Sequence, residues 1–245
     1  GRSGWVSSVY GPHFNANGEI IGVIGVVRDI TERKQGEEAR RRSEKEANRL
    51  AKEAGVLAEI GRIISSTLDI GKVYESFANE TQKLITFDRI SINLINLEED
   101  KAVVSYVSGL DIPGRRLCDT YLLMSSVTEK IRGDRLSLLI QPETQEDLEA
   151  ESPKFIPHFQ AGLRSMMGVP LIYGDAVIGV LFLHSRELKA YTDRDLRLAE
   201  RIANQIAGAI ANAQLFLERK RADEVLREAE ERYRLLFEIS TNAVL

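Results

Sequence analysis

The sequence predicts an α+β protein with one central antiparallel sheet covered by helices on both faces, and with long helices at its N- and C-terminal ends. RISINLIN and AVVSYVS alternate polar and apolar residues around the acidic turn EED, which is typical of paired strands. GVPLIYGDAVIGVLFLHS predicts a hairpin whose almost wholly apolar strands need cover on both sides. Amphipathic helical patterns precede and follow these strands.

The composition is that of an ordinary globular chain. Of the 245 residues, 43% are hydrophobic and 29% are charged, and the formal net charge is −4. Lys and Arg alternate with Glu and form no basic face, so we expect no nucleic-acid partner. Every apolar run is far shorter than the roughly 20 residues that a membrane helix needs, which predicts no direct membrane contact. A single cysteine fits a reducing compartment, so we expect a cytoplasmic location. The single cysteine, Cys118, excludes an internal disulfide and a thiolate-rich metal site.

The N-terminal quarter predicts a hairpin followed by helices. WVSSVY and GEIIGVIGVV are strand-like runs joined by the turn residues NANG. After Asp29, Glu, Arg, Lys and Ala predominate without proline, which indicates a solvent-exposed helix. VLAEIGRIISS and IGKVYESFANETQKLI then predict two amphipathic helices, the second with Asp69 as its N-cap.

The middle and the end of the chain add shorter elements and one long helix. Ser126 and Glu129 have the spacing of a capping box, and Gly133 stands where a C-terminal glycine would end a short helix. LSLLI predicts a strand, and the acidic stretch 141–160 predicts an irregular or partly helical excursion over the surface. From about residue 193 a helical pattern runs without a breaker towards the C-terminus.

Two sets of small and apolar residues step alternately by three and four, which is the a/d spacing of a coiled-coil seam. They predict a homodimer through parallel linker helices. For segments this short, two solvated single helices remain the alternative. The first set is Ala47, Leu50, Ala54, Leu57, Gly61 and Ile64, and the second is Ala222, Leu226, Ala229, Tyr233 and Leu236.

Several stretches carry a resemblance to two families of sensory domains. LRSMMGVPLIYGDAVIGVLFLHS, followed by YTDRDLRLAERIANQIAGAIANAQLF, resembles the C-terminal half of a GAF domain, and FDRISINLINLEEDKAVVSYVSG resembles its first two strands. GEIIGVIGVVRDITERKQ resembles the last strand and exit motif of a PAS domain, and ERYRLLFEISTNAVL resembles the entry of another. The implied organisation is a C-terminal PAS hairpin (1–31), a helical linker (32–54), a GAF domain (55–216), a coiled-coil linker helix (217–232) and the start of a second PAS domain (233–245).

The resemblance implies a sensory input and signal-relay fragment of a bacterial-type multidomain protein, of the sort found upstream of histidine kinases and diguanylate cyclases. No phosphoacceptor helix, ATP-binding box or GG(D/E)EF signature occurs in the sequence, so we expect no catalytic residues here. By resemblance, Asp29 and Thr31 of the DIT motif tie the PAS sheet to its outgoing helix, although a plain helix N-cap explains them nearly as well. The expected relay residues are Asp29, Thr31, Leu50, Leu57, Ile64, Leu226, Tyr233 and Leu236.

A ligand site is expected on one face of the sheet. In RISINLIN the apolar set Ile90, Ile92 and Leu94 points one way, towards the terminal helices, while Ser91 and Asn93 point to the side on which GAF domains hold ligands. The N-terminus of the short helix near residue 127 favours an anion or a carbonyl there, although the capping box uses some of its N–H groups. A small polar or aromatic metabolite is the expected ligand, and a ligand-free domain kept for dimerisation and relay is the alternative. The candidate ligand-binding residues are Ser91, Asn93, Ser105, Ser125, Ser126, Val127, Phe182 and His184.

The known chemistries of the family fit the sequence poorly, and we expect no cofactor and no metal. HSRELKAYTDRDL does not reproduce the NKxnF…DE signature of cyclic-nucleotide-binding GAF domains. Cys118 is followed by Asp119 instead of the histidine common at bilin sites, and His158 and His184 have no partner at metal-ligand spacing. Reduction of methionine sulfoxide needs further cysteines. A bilin or haem sensor of light or redox state remains a second alternative.

Overall fold

The computed structural model describes residues 4–66, 70–144, 146 and 155–242, without the side chains of 64–66, 217, 218, 221 and 233–242. Asp69 lies outside the described residues, and Ile64, Tyr233 and Leu236 lie outside the described side chains. The elements are β1 Val6–Phe14, β2 Ile20–Asp29, α1 Thr31–Ser66, α2 Ile70–Gln82, β3 Arg89–Asn96, β4 Lys101–Gly109, β5 Thr120–Leu122, α3 Val127–Asp134, β6 Leu138–Ile140, α4 Ile156–Gln160, β7 Ser165–Tyr173, β8 Ala176–Ser185 and α5 Asp193–Asn242.

The chain divides into two compact units, Gly1–Gly55 and Val56–Leu245. None of the helices in the described part of the chain combines the length and the apolar character that crossing a bilayer requires.

In the first unit, β1 and β2 form the predicted antiparallel hairpin. The side-chain oxygen of Asn15 accepts hydrogen bonds from the N–H groups of Asn17 and Glu19, each at 2.9 Å, and so closes the turn. Gly18 adopts the positive φ of 81° that this turn needs. The predicted hairpin is confirmed at both strands.

Asp29 and Thr31 join the hairpin to the helix that follows. The N–H of Thr31 donates to the Asp29 carboxylate at 2.8 Å, and the N–H of Trp5 donates to the Thr31 hydroxyl, also at 2.8 Å. The side-chain and backbone hydrogen bonds from Thr31 lower the pKa of Asp29. The pair therefore caps the helix start and also ties it to the first strand, so both interpretations of the DIT motif describe what these residues do.

In the second unit, the described residues form a six-stranded antiparallel sheet in the order β5-β4-β3-β8-β7-β6. Residues of β3 and β8 enter the core on one face of the sheet, and the alternate residues of β8 enter a second core on the other face. Ile90, Ile92, Leu181 and Leu183 pack with α1, α2 and α5, whereas Val180 and Phe182 pack with α3 and with the segment around α4. Helices thus cover both faces of the sheet, and the predicted α+β fold class is confirmed.

Two predictions about helix geometry are wrong. Gly133 does not end α3, because the helix continues to Asp134 and Arg135 takes the left-handed C-cap conformation with φ of 55°. Ser126 does cap the N-terminus, accepting the N–H of Glu129 at 3.0 Å. The reciprocal half of the capping box is missing, since the Glu129 carboxylate pairs with Arg132 instead.

The predicted N-terminal seam is wrong at Leu57. This side chain is buried in the domain's own core beside Ile60 and residues of α5, so it has no surface left for a second subunit. Leu50, two turns earlier in α1, is half exposed. The linker and the first domain helix, which the sequence predicts as separate patterns, form one continuous helix.

Glycine substitutions test this architecture. A Cβ on Gly179 would lie 2.6 Å from the backbone oxygen of Asn93, which the sheet holds in place, so we expect Gly179→Ala to lower the free energy of unfolding by about 1–3 kcal/mol. A Cβ on Gly133 meets nothing within 4 Å, so we expect Gly133→Ala to raise the free energy by up to about 1 kcal/mol. Urea denaturation of both variants measures the pair of effects.

Destabilisation by Gly133→Ala would contradict the interior helical position of that residue, and a neutral Gly179→Ala would contradict the close approach of β8 to β3.

Candidate functional site

A cavity of about 290 Å³ lies on the sheet face that carries α3 and α4. Its volume is near the lower end of the range of about 300–1,000 Å³ that is usual for small-molecule sites. The wall combines apolar, cationic and hydroxyl side chains. The lining residues are Arg89, Ser91, Asn93, Val104, Arg115, Tyr121, Leu122, Met124, Ser126, Val127, Thr128, Phe155, His158, Met166, Phe182 and His184.

The pleat of β3 and β8 sets the floor of the cavity. Ser91 is paired with Phe182 and Arg89 with His184 across the antiparallel ladder. Because side chains alternate along a strand, these four residues face the cavity while Ile90 and its apolar neighbours face the opposite core. The predicted orientation of β3 is confirmed.

The structure brings together six of the eight candidate ligand-binding residues. Ser105 does not line the cavity, because a bulge pairs Asn93 with Val104 and leaves Ser105 unpaired, with its hydroxyl on the Val103 carbonyl at 3.5 Å. Ser125 is exposed at a positive φ of 60° just before the helix cap and is also absent from the wall. The six on the wall are Ser91, Asn93, Ser126, Val127, Phe182 and His184.

A chain of polar contacts fixes one side of the cavity. The amide nitrogen of Asn93 donates to the Tyr121 hydroxyl at 2.8 Å, and that hydroxyl shares a 2.6 Å hydrogen bond with Thr128. The guanidinium of Arg115 lies 4.0 Å above the Tyr121 ring. Burial raises the pKa of Tyr121, although its contacts with Thr128, Asn93 and Arg115 oppose the shift, so the phenol is neutral at physiological pH.

Arg89 is a buried cation on the cavity wall, with only 2% of its surface exposed. Its two terminal nitrogens donate to the carbonyl oxygens of Leu110 and Arg115, which holds the β4–β5 connection against β3. Burial lowers the pKa of Arg89, an effect that Asp111 partly offsets. Asp111 itself is exposed and is paired with Arg116 at 2.7 Å. The guanidinium therefore has carbonyl partners but no buried carboxylate among the described residues of the wall.

Two stacked histidines form another part of the wall. The rings of His158 and His184 are 5.0 Å apart and nearly parallel, and Phe155 stacks on His158 at 5.1 Å. Burial, followed by the charges of Arg115 and Arg89, lowers the pKa of His158 to about 3. Burial and the neighbouring His158 and Arg89 hold the pKa of His184 well below its ordinary value, with a small opposing effect of the Arg89 backbone. Both imidazoles are neutral at physiological pH.

Five buried polar atoms on the cavity wall have no hydrogen-bond partner within the described protein. Most buried polar groups in folded proteins do find a partner, so a cluster of unpaired atoms around one cavity is uncommon. They include donors and acceptors, and they are available to whatever occupies the cavity. The atoms are Arg89 Nε, Asn93 Oδ1, His158 Nδ1 and both ring nitrogens of His184.

Arg89, Arg115 and Tyr121 were not predicted from the sequence, which considers His158 only as a metal ligand without a partner. Arg89 had a usable signal, since it precedes Ser91 and Asn93 by two and four positions on the same strand face. Arg115 lies in an irregular connection and Tyr121 in a three-residue strand, and neither carries a periodic pattern. Cys118 is exposed and lies outside the cavity wall.

The buried histidines predict a pH dependence of stability. The unfolded chain binds protons below a pKa of about 6.5, whereas folded His158 stays neutral down to about pH 3, so stability is lost as the pH falls through this window. We expect the free energy of unfolding to fall by about 2 kcal/mol between pH 7 and pH 5 on account of His158 alone. Denaturant titrations at several pH values measure this slope.

His158→Gln removes that contribution and flattens the slope, whereas His13→Gln, at an exposed histidine of β1, leaves it unchanged. Equal slopes in wild type and His158→Gln would contradict the buried neutral state.

The family profile described as GAF domain matches residues 73–211, and the profile described as PAS fold matches residues 1–35. The chain is 27% identical over 173 residues to the formate hydrogenlyase transcriptional activator FhlA of Escherichia coli (strain K12), covering 70% of this chain and 25% of that protein. It thus spans about a quarter of the length of the curated relatives it matches.

Solved structures share the fold at low identity. The GAF domain of an Acinetobacter phosphoenolpyruvate-protein phosphotransferase superposes with a TM-score of 0.56 at 16% identity, covering 68% of this chain and 97% of that one. The free methionine-R-sulfoxide reductase of Neisseria meningitidis, in complex with its substrate, gives a TM-score of 0.55 at 15% identity, covering 66% and 90%. Because the GAF profile covers more than half of the residues, the chain belongs to the GAF domain family.

Proposed function

We propose that this chain is the sensory and relay part of a regulatory protein, and that its GAF domain binds a small molecule in the cavity between the sheet and α3 and α4. The observation that carries the proposal is the cluster of unpaired buried atoms on Arg89, Asn93, His158 and His184. Leaving a buried polar group unpaired costs roughly 1–3 kcal/mol, and a ligand that supplies the missing partners recovers part of this. The apolar part of the wall, including Val104 and Phe182, offers contact area for the rest of such a ligand.

The cavity and the first half of α5 lie on opposite faces of the same sheet. β7 and β8 present Met166 and Phe182 to the cavity, and the next residue of each strand, Met167 and Leu183, lies in the core that these strands share with α5 residues such as Ile202. A shift of either strand on ligand binding therefore changes the packing of α5. A ligand acts on this relay only through different affinities for the two packings.

We further propose that the second half of α5 forms a parallel homodimer. Ala222, Leu226 and Ala229 have seam spacing, and Leu215 lies one heptad before Ala222. Leu215 is 55% and Leu226 60% exposed in the single chain, so both side chains are available to a partner helix.

The comparisons favour a regulatory context. A relative named as a transcriptional activator and the profile match to a PAS fold at the N-terminus fit a multidomain sensor in which an output domain lies outside these residues. The free, exposed thiol of Cys118 fits a reducing compartment and hence a cytoplasmic location.

A thermal-shift screen of polar and aromatic metabolites tests the sensor function. A ligand at a hundred times its dissociation constant stabilises the folded state by about 2.7 kcal/mol, which raises the melting temperature of a domain this size by roughly 5–10 °C. Ser91→Leu places a bulky side chain in the cavity, so we expect it to abolish the shift. Ser108→Leu, at an exposed position of β4, is the matched control and keeps the shift.

Hits that stabilise Ser91→Leu as much as wild type would place binding elsewhere. A screen without any hit would favour the ligand-free dimerisation module.

Light scattering tests the homodimer. We expect a mass of about twice the 27.5 kDa of the single chain at high protein concentration. Leu226→Glu places a charge in the seam and shifts the mass towards the monomer, because a buried unpaired carboxylate destabilises the interface. Leu188→Glu, at an exposed leucine outside the helices, leaves the dimer intact. A monomeric wild type, or a dimer insensitive to Leu226→Glu, contradicts this interface.

A further inference from the structure

We propose that the ligand of the GAF cavity is a small organic anion that carries its negative charge near Arg89 and His184 and rests its remaining atoms on Phe182. This inference rests on the proposed small-molecule binding and names the chemical class that the cavity selects.

The first argument is the charge of the wall. Two arginines, Arg89 and Arg115, line the cavity, and no Asp or Glu does so among the described residues. The nearest described acid that affects Arg89, Asp111, is exposed and held by Arg116. A cavity with two cationic groups, one of them buried, favours an anion over a neutral or cationic ligand, because Coulomb interactions are strengthened beside a buried charge.

The second argument is the state of Arg89 itself. A buried guanidinium is stable when its N–H groups have acceptors and its charge has a counter-charge. The carbonyl oxygens of Leu110 and Arg115 satisfy the terminal nitrogens, but Nε has no acceptor and the charge has no buried partner in the described protein. A carboxylate or similar anion in the cavity would supply both the acceptor and the counter-charge.

The third argument is the position of these groups along the ladder. His184 lies opposite Arg89, and Phe182 lies opposite Ser91, one pleat further along β3. Neither ring nitrogen of His184 has a hydrogen bond of normal geometry, although the backbone of Arg89 acts on the His184 pKa, so the single N–H of the neutral imidazole is able to turn to an anion held at Arg89. The Phe182 ring then lies under the next part of the ligand, about 7 Å along the strand.

The competing occupant is a neutral polar molecule. Its N–H or O–H groups would satisfy the acceptor Asn93 Oδ1, which a carboxylate group does not, but it would leave the charge of Arg89 without compensation. The two kinds of ligand therefore differ in charge and not in shape. A carboxylate and its primary amide are nearly isosteric but differ in charge, so comparing their binding separates the two kinds.

Matched pairs of probes test the proposal: acetate and acetamide, benzoate and benzamide, and phenylacetate and phenylacetamide. Binding to the whole chain is measured by calorimetry and by amide chemical shifts. We expect at least one carboxylate to bind, and its amide to bind at least about tenfold more weakly, since hydrogen bonds to charged groups are the stronger class. The shifts should fall on β3 and β8 residues that line the cavity.

Two arginine variants extend the test. Arg115→Gln keeps the backbone carbonyl that Arg89 binds, so the variant is expected to fold and to lose roughly tenfold in carboxylate affinity. Arg89→Gln is expected to lose more, provided that its circular dichroism shows a folded domain. Arg197→Gln makes the same charge change at an exposed site of α5 and leaves the affinity unchanged.

The outcomes separate the two proposals. Equal binding of a carboxylate and its amide, unchanged affinity in Arg115→Gln, or hits in the metabolite screen that are all neutral overturn the anion and leave the small-molecule sensor intact. Failure of every carboxylate together with an empty metabolite screen overturns both.

Discussion

Strands β3 and β8 lie side by side at the centre of the sheet, and each has to satisfy two different environments at once. On one face Ile90 and Leu183 are fully buried against the long helices, and on the other face Arg89 and His184 line a cavity. A slip of one residue in register would exchange these faces and bury Arg89 in an apolar core, at a cost of several kcal/mol. The same alternation that stabilises the domain therefore also fixes the geometry of the site.

Close approaches of the backbone support this arrangement. Gly168 lies under the Phe182 ring, where a Cβ would come within 2.8 Å of the ring carbon Cε1. The missing side chain lets Phe182 lie flat against β7 and leaves room above it for the cavity. The position of the Phe182 ring thus depends on a residue without any polar chemistry of its own.

Much of the fold follows from local patterns in the sequence, since the period of two in β3 and the apolar hairpin β7–β8 identify the sheet directly. The direction of Ser91 and Asn93 follows from the same period. The positions of Arg115, Tyr121 and His158 on the cavity wall do not follow from a local pattern. Arg115 lies in a connection, Tyr121 in a three-residue strand and His158 in a five-residue helix, and long-range packing places all three beside the sheet. Leu57 shows the opposite failure. Its seam spacing is real, but the same heptad period also describes a helix face packed on its own domain, and only the tertiary structure tells which partner covers it.

Because Leu57 is buried in the core of its own domain, the dimer that we propose relies on the exposed part of α5. In α5 the change from core to surface is sharp, since Ile210 is 1% exposed and Leu215, little more than one turn later, is 55% exposed. The residues that pack against the sheet and the residues available to a partner therefore occupy consecutive segments of one helix and do not compete for the same contacts. In the relay that we propose, a rotation or shift imposed by β7 and β8 on the first segment would be carried into the second, because an α-helix is stiff over a few turns. The proposed coupling between the cavity and a partner helix then requires no direct contact between the two. It requires that α5 remain helical at residues 211–215, where its side chains change from buried to exposed, and the helix is continuous there.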